Sequence, residues 1–174
     1  VSIALQRRLA KRNEYGDDYE TVTGAVFDPF TDELWTAIRG QAAKLNGKKI
    51  RVRNCGLREA LLSIGFAKDK KTMDYMMPYF SKLAPKIRKP RMMGSAALAM
   101  TYVASGRFQG YIESKVCLWD IAAGGLILEC AGGEFWRMPR TKGNHTYAVL
   151  ASNGGIRKQI ERVCGPLDPD GVLN

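Results

Sequence analysis

Asp120 is the residue best placed to do chemistry, in Trp119-Asp120-Ile121-Ala122-Ala123-Gly124, where a carboxylate meets the start of a long apolar segment. Two readings stand side by side. As an N-cap, its oxygens accept hydrogen bonds from the first amides of the following helix. As a metal ligand, the same position fixes its direction and keeps it ionised in the positive end of the helix dipole, with one oxygen left for a cation. A structural zinc site is poorly supported. The chain has one histidine, His145, and its cysteines, Cys55, Cys117, Cys130 and Cys164, contain no C-x-x-C pair. They read as reduced thiols in the core or near the surface.

The elements that must position Asp120 follow from hydrophobic patterning. Residues 1–9, 22–27 and 33–38 read as hairpin-connected antiparallel strands, with a turn at Asp28-Pro29. Asn46-Gly47 signals a two-residue turn leading into an alternating strand at 49–53. After a domain boundary near Gly56 the rhythm becomes strands alternating with helices. A buried parallel strand is expected at 60–66 and a helix at 71–83, stopped by Pro85. A basic extended piece then ends at Pro90-Arg91. Another helix is expected at 95–105, a short strand at 110–113, and an apolar helix at 119–131 buried on most sides. A strand at 147–151 and an amphipathic helix at 156–164 complete the pattern, before an irregular tail.

With 174 residues, 45% of them hydrophobic, the chain can build one core or one core plus part of a second. No apolar run approaches the ~18 residues of a membrane span, and residues 1–8 have the reverse polarity of a secretory signal. The cytoplasm is the expected location. The formal charge of +10 is concentrated in the middle: seven basic residues and no acid from Arg39 to Arg58, and eight against Asp69 and Asp74 from Lys68 to Arg91. It reads as a solvated basic face that also attracts anionic substrates. Nucleic acid is set aside because the aromatic and glycine signatures of RNA-binding modules are missing.

The segment from Trp119 to Gly133 resembles the signature of the inositol monophosphatase family. The resemblance extends through Gly94-Ser95-Ala96-Ala97-Leu98, Tyr102-Val103-Ala104-Ser105-Gly106-Arg107 and Gly110-Tyr111-Ile112-Glu113. It includes Val1-Ser2-Ile3-Ala4-Leu5, Asp32-Glu33-Leu34-Trp35-Thr36-Ala37, Leu45-Asn46-Gly47 and Ala151-Ser152-Asn153. It implies the layered α/β and α+β sandwich of inositol monophosphatases and sugar phosphatases. Residues 57–174 would be a complete carboxy-terminal α/β domain, and 1–56 the remnant antiparallel sheet of a truncated first α+β domain.

By the same resemblance, two or three magnesium ions bind a phosphate ester and activate water. Asp120 would be a ligand of one ion. Glu113 would hold substrate hydroxyls, and the Gly94-Ser95-Ala96 turn would offer backbone amides, with Arg91 just before it to steer phosphate or bridge subunits. The family's glutamate pair and Asp-Pro-x-Asp-Gly-Thr element have no counterpart here, and Asp28-Pro29-Phe30-Thr31-Asp32 reads as a turn. The expected function is hydrolysis of inositol 1-phosphate or a similar small polyol phosphate, with this chain inactive alone because one carboxylate holds magnesium weakly. The alternative is a non-catalytic fragment or subunit binding an anionic partner through the basic face. The missing amino-terminal segment, or self-association into a homodimer, is expected to cover the first sheet, with no membrane partner.

Overall fold

The computed structural model describes residues 1–13, 17–67, 69–140 and 145–167. Strands β1 (Ser2–Arg8), β2 (Tyr19–Asp28), β3 (Glu33–Ile38), β4 (Lys44–Leu45) and β5 (Lys48–Lys49) form an antiparallel sheet in chain order. Their turns follow local chemistry. Asp28 accepts the Phe30 amide at 3.0 Å across the β2–β3 turn, and Asn46 and Gly47 adopt the positive φ values, 46° and 78°, that a tight hairpin needs.

The expected strand at 49–53 is a correction: β5 ends at Lys49, and residues 50–56 have no regular structure. The physical reason is that this segment leaves the sheet to meet the end of a helix, where the Val52 amide bonds the Ala131 carbonyl at 3.1 Å.

The second half supplies β6 (Leu61–Ile64), α1 (Lys70–Leu83), β7 (Lys89–Arg91), α2 (Ala96–Ala104), β8 (Gly110–Cys117), α3 (Leu118–Cys130), β9 (Glu134–Pro139), β10 (Thr146–Ser152) and α4 (Arg157–Cys164). Its sheet has the order β7-β6-β8-β10-β9. Strand β6 is parallel to β7 and β8, as its apolar run predicts, whereas β8–β10 and β10–β9 are antiparallel. The sheet is therefore mixed, and β9 has no counterpart in the sequence reading.

Helices α2 and α3 lie between the sheets, and α1 and α4 cover the far face of the second. One hydrophobic cluster joins Val26 and Trp35 of the first sheet to Leu126 and Ile127 of α3 and to Val149 and Ala151 of β10. This sandwiching explains why α3 is apolar all round. Contact is close enough that a Cβ on Gly24 of β2 would stand 3.0 Å from the backbone of Ala123. Only glycine lets strand and helix approach so nearly.

Candidate active site

A cavity of about 310 Å³ opens where β6 and β7 end and α2 and α3 begin. Strand geometry explains its contents. Along β8, Tyr111 and Glu113 are two residues apart and share the face toward α2 and α3, while Ile112 turns into the core beneath α1 and α4. Against β10, strand β8 carries one extra residue between Glu113 and Val116, a bulge that brings both into the cavity wall.

The Tyr111 hydroxyl donates to Glu113 Oε2 at 2.5 Å. Burial raises the Glu113 carboxyl above its ordinary range, the tyrosine hydrogen bond opposes this, and the charge of Asp120 adds to the rise. Burial, followed by the facing Glu113 charge, holds the Tyr111 phenol well above its usual value, so it remains a donor. Gly65 completes the arrangement: any side chain there would collide with the Glu113 carboxylate.

Asp120 lies in the first turn of α3 and reaches the same cavity, exposed to solvent. It is not the N-cap. That position belongs to Cys117, whose side chain makes no cap bond, and Asp120 is the third helical residue. The cap of α2 is Ser95, which accepts the Leu98 amide at 3.3 Å. The first-turn amides of Ala96 and Ala97 have no intrahelical carbonyl to bond, and Ala96 lines the cavity.

Glu113, Asp120, Ser95 and Ala96 are thus brought together. Arg91 lies outside the lining, exposed on β7, with its guanidinium on the Pro90 carbonyl at 3.0 Å. Sequence reasoning passed over Tyr111 and Gly65, although strand alternation in Gly110-Tyr111-Ile112-Glu113 puts Tyr111 beside Glu113.

The lining contains no lysine or arginine, and both of its acids are carboxylic. The basic run at 51–58 lies at the opposite end of β6, so it does not form the wall of this cavity. Among the described residues, no three His, Cys, Asp or Glu side chains converge. Magnesium requires several oxygens, so these residues do not make a complete site for it.

The profile of the inositol monophosphatase family matches residues 16–164. The chain belongs to this family. It is 44% identical over 146 residues to the Nus factor SuhB of Pasteurella multocida, covering 80% of this chain and 54% of that relative. It is 38% identical over 171 residues to the inositol-1-monophosphatase of Rhizobium meliloti, covering 94% of this chain and 59% of the relative. An inositol monophosphatase structure from Anabaena has a TM-score of 0.76 at 34% identity, covering 87% of this chain and 61% of that one. The two-sheet sandwich is the inositol monophosphatase fold, as the sequence resemblance implies. The chain spans about half the length of the curated relatives it matches. No helix among the described residues is long and apolar enough to cross a membrane.

Proposed function

We propose that this cavity is the part of a phosphomonoesterase site that receives a small polyol phosphate. One observation carries the reading: two carboxyl groups, Glu113 and Asp120, and the free first-turn amides of α2 converge on one cavity without a basic side chain. Backbone amides at a helix start donate to phosphate oxygens. Glu113, fixed by Tyr111, accepts hydrogen bonds from substrate hydroxyls, which suits a polyol better than an apolar alcohol. Two acids alone repel a phosphate, so the site calls for a cation from elsewhere.

Asp120 is proposed as one ligand of that ion, magnesium, whose chemistry when bound is to polarise the phosphate and lower the pKa of water. The described residues do not complete its coordination, and the chain by itself is proposed to be inactive. The test is phosphate release from inositol 1-phosphate and glycerol phosphate, with magnesium, by this chain and by the full natural protein. In the latter, Asp120→Asn is expected to cut turnover at least a hundredfold, and undiminished turnover would remove Asp120 from the site. Glu113→Gln is expected to reduce the preference for inositol 1-phosphate over phenyl phosphate. An equal loss on both would end its hydroxyl-binding role.

A further inference from the structure

The strongest concentration of charge left unexplained by the cavity lies at the other end of the second sheet. Strand β6 begins beside Arg58, and β7 begins at Lys89, after the turn that carries Lys86 and Arg88. The two segments are tied, because the Arg88 and Lys89 amides both bond the Ala60 carbonyl, at 3.0 and 3.4 Å. Arg51 and Arg53 approach from the first sheet. The Asn153 side chain holds the carbonyls of Arg53 and Cys55, each at 3.0 Å, and Gln159 accepts the Leu57 amide at 3.3 Å.

Six exposed cations therefore stand on a backbone anchored by Asn153 just after β10, by Gln159 of α4 and by Ala60 just before β6. None of Arg51, Arg53, Arg58, Lys86, Arg88 and Lys89 takes part in an ion pair among the described residues. The one acid within these two segments is the exposed Glu59. The cavity faces the opposite end of the strands, beyond Ser63 and Ile64, so the cations do not serve its ligand.

We propose that this face binds the phosphodiester backbone of a nucleic acid, without reading its bases. Unpaired like charges carried on adjoining segments repel one another unless a counter-charge meets them, and a polyanion supplies that along its whole length. Four of the six are arginines, whose planar forks fit phosphate oxygens in pairs. No large exposed hydrophobic side chain lies at 50–60 or 82–91. That absence leaves nothing to stack on bases, and nothing to insert into a bilayer, where firm attachment takes an apolar anchor besides charge. The sequence reading weighed motifs and set nucleic acid aside. Backbone binding needs no such motif, only cations gathered in space.

The test is fluorescence anisotropy of labelled 20-nucleotide single-stranded RNA and 20-base-pair DNA, titrated with the 174-residue chain over a range of salt concentrations. Affinity is expected to fall steeply with salt. Arg58→Gln with Arg88→Gln is expected to weaken binding at least tenfold at 100 mM salt, and to flatten the salt slope by roughly 1.4–1.8, the value of two phosphate contacts. Arg8→Gln with Lys11→Gln removes the same charge from the β1–β2 hairpin and is expected to change affinity less than twofold. Melting curves confirm that each variant folds. Equal losses in the two double variants would show attraction by net charge alone and overturn the proposal. So would binding to phosphatidylserine vesicles, dependent on Arg58 and Arg88, with none to either nucleic acid. An excess of inositol 1-phosphate is expected not to displace the RNA, which keeps this surface separate from the cavity.

Discussion

Glu113 is a carboxyl group placed where its charge is disfavoured. Burial and the nearby Asp120 favour the protonated acid, and one hydrogen bond from Tyr111 works against them. Its folded-state pKa lies above the ordinary 4.5, so between that value and the raised one the folded chain binds more protons than the unfolded chain. Stability from this group is therefore fully present below pH 4.5 and declines as pH rises through the folded value. Glu113→Gln keeps an oxygen for the Tyr111 hydroxyl and removes the ionisation. Its melting temperature is expected to exceed that of the parent at pH 7, with the gap closing toward pH 4. Thermal denaturation at several pH values measures this, and a constant gap would show that the carboxyl does not titrate as its surroundings require.

At the scale of elements, α1 starts at a cap that can be read by acid titration. Asp69 accepts the Thr72 amide at 2.9 Å and the Thr72 hydroxyl at 2.8 Å, and these bonds, with help from Lys115, lower its pKa to about 2. A depressed carboxyl stabilises the fold above its unfolded pKa of about 3.8, and that contribution is lost as pH falls toward 2. Asp69→Ala is expected to lower the melting temperature at pH 6 and to differ little from the parent near pH 2. Circular dichroism melts decide the point.

Most elements were legible because their signals are local. Asn46-Gly47 turns where expected, the helix expected at 71–83 appears as α1, and Ser95 caps α2. Strand β9 was not legible. In Glu134-Phe135-Trp136-Arg137-Met138-Pro139, apolar and long polar side chains occur on both faces, most of them half-buried, so no period of two emerges. Arg137 is there to bond Asp17, 120 positions away, at 2.6 Å, a contact no local pattern announces. The candidate site was legible as far as a family motif reached Asp120, Glu113 and the Ser95 turn. The basic character of 39–58 and 68–91 was legible as a basic face, but that the Arg58 and Arg88 segments are tied together through Ala60 depended on strand pairing.

For the whole molecule, the outer face of the first sheet is the feature with the largest consequence. Helix α3 packs on one side of it. On the other, Ile3 and Leu5 of β1 are 65% and 64% exposed, and Leu34 and Ile38 of β3 are 41% and 49% exposed. The register runs these residues across Ala25, Thr23 and Phe27 of β2 into one apolar surface, and β1 is an edge strand. Surfaces of this kind associate. The isolated chain is expected to sediment faster with increasing concentration, and Ile3→Lys with Leu5→Lys to restore a monomer. Sedimentation velocity tests it, and a parent chain that stays monomeric at every concentration would contradict it.

The walls of the cavity come from three stretches, 63–66, 92–96 and 111–120, with α1 between the first two and α2 between the second and third. No two of its walls belong to one hairpin. Contacts between such distant stretches form only after the entropy of closing the intervening loops has been met, which makes them slow to appear. During refolding the cavity is therefore a late acquisition: helices and hairpins precede it, and the meeting of the Ser95 turn with Glu113 and Asp120 waits until β7, β6 and β8 have found one another.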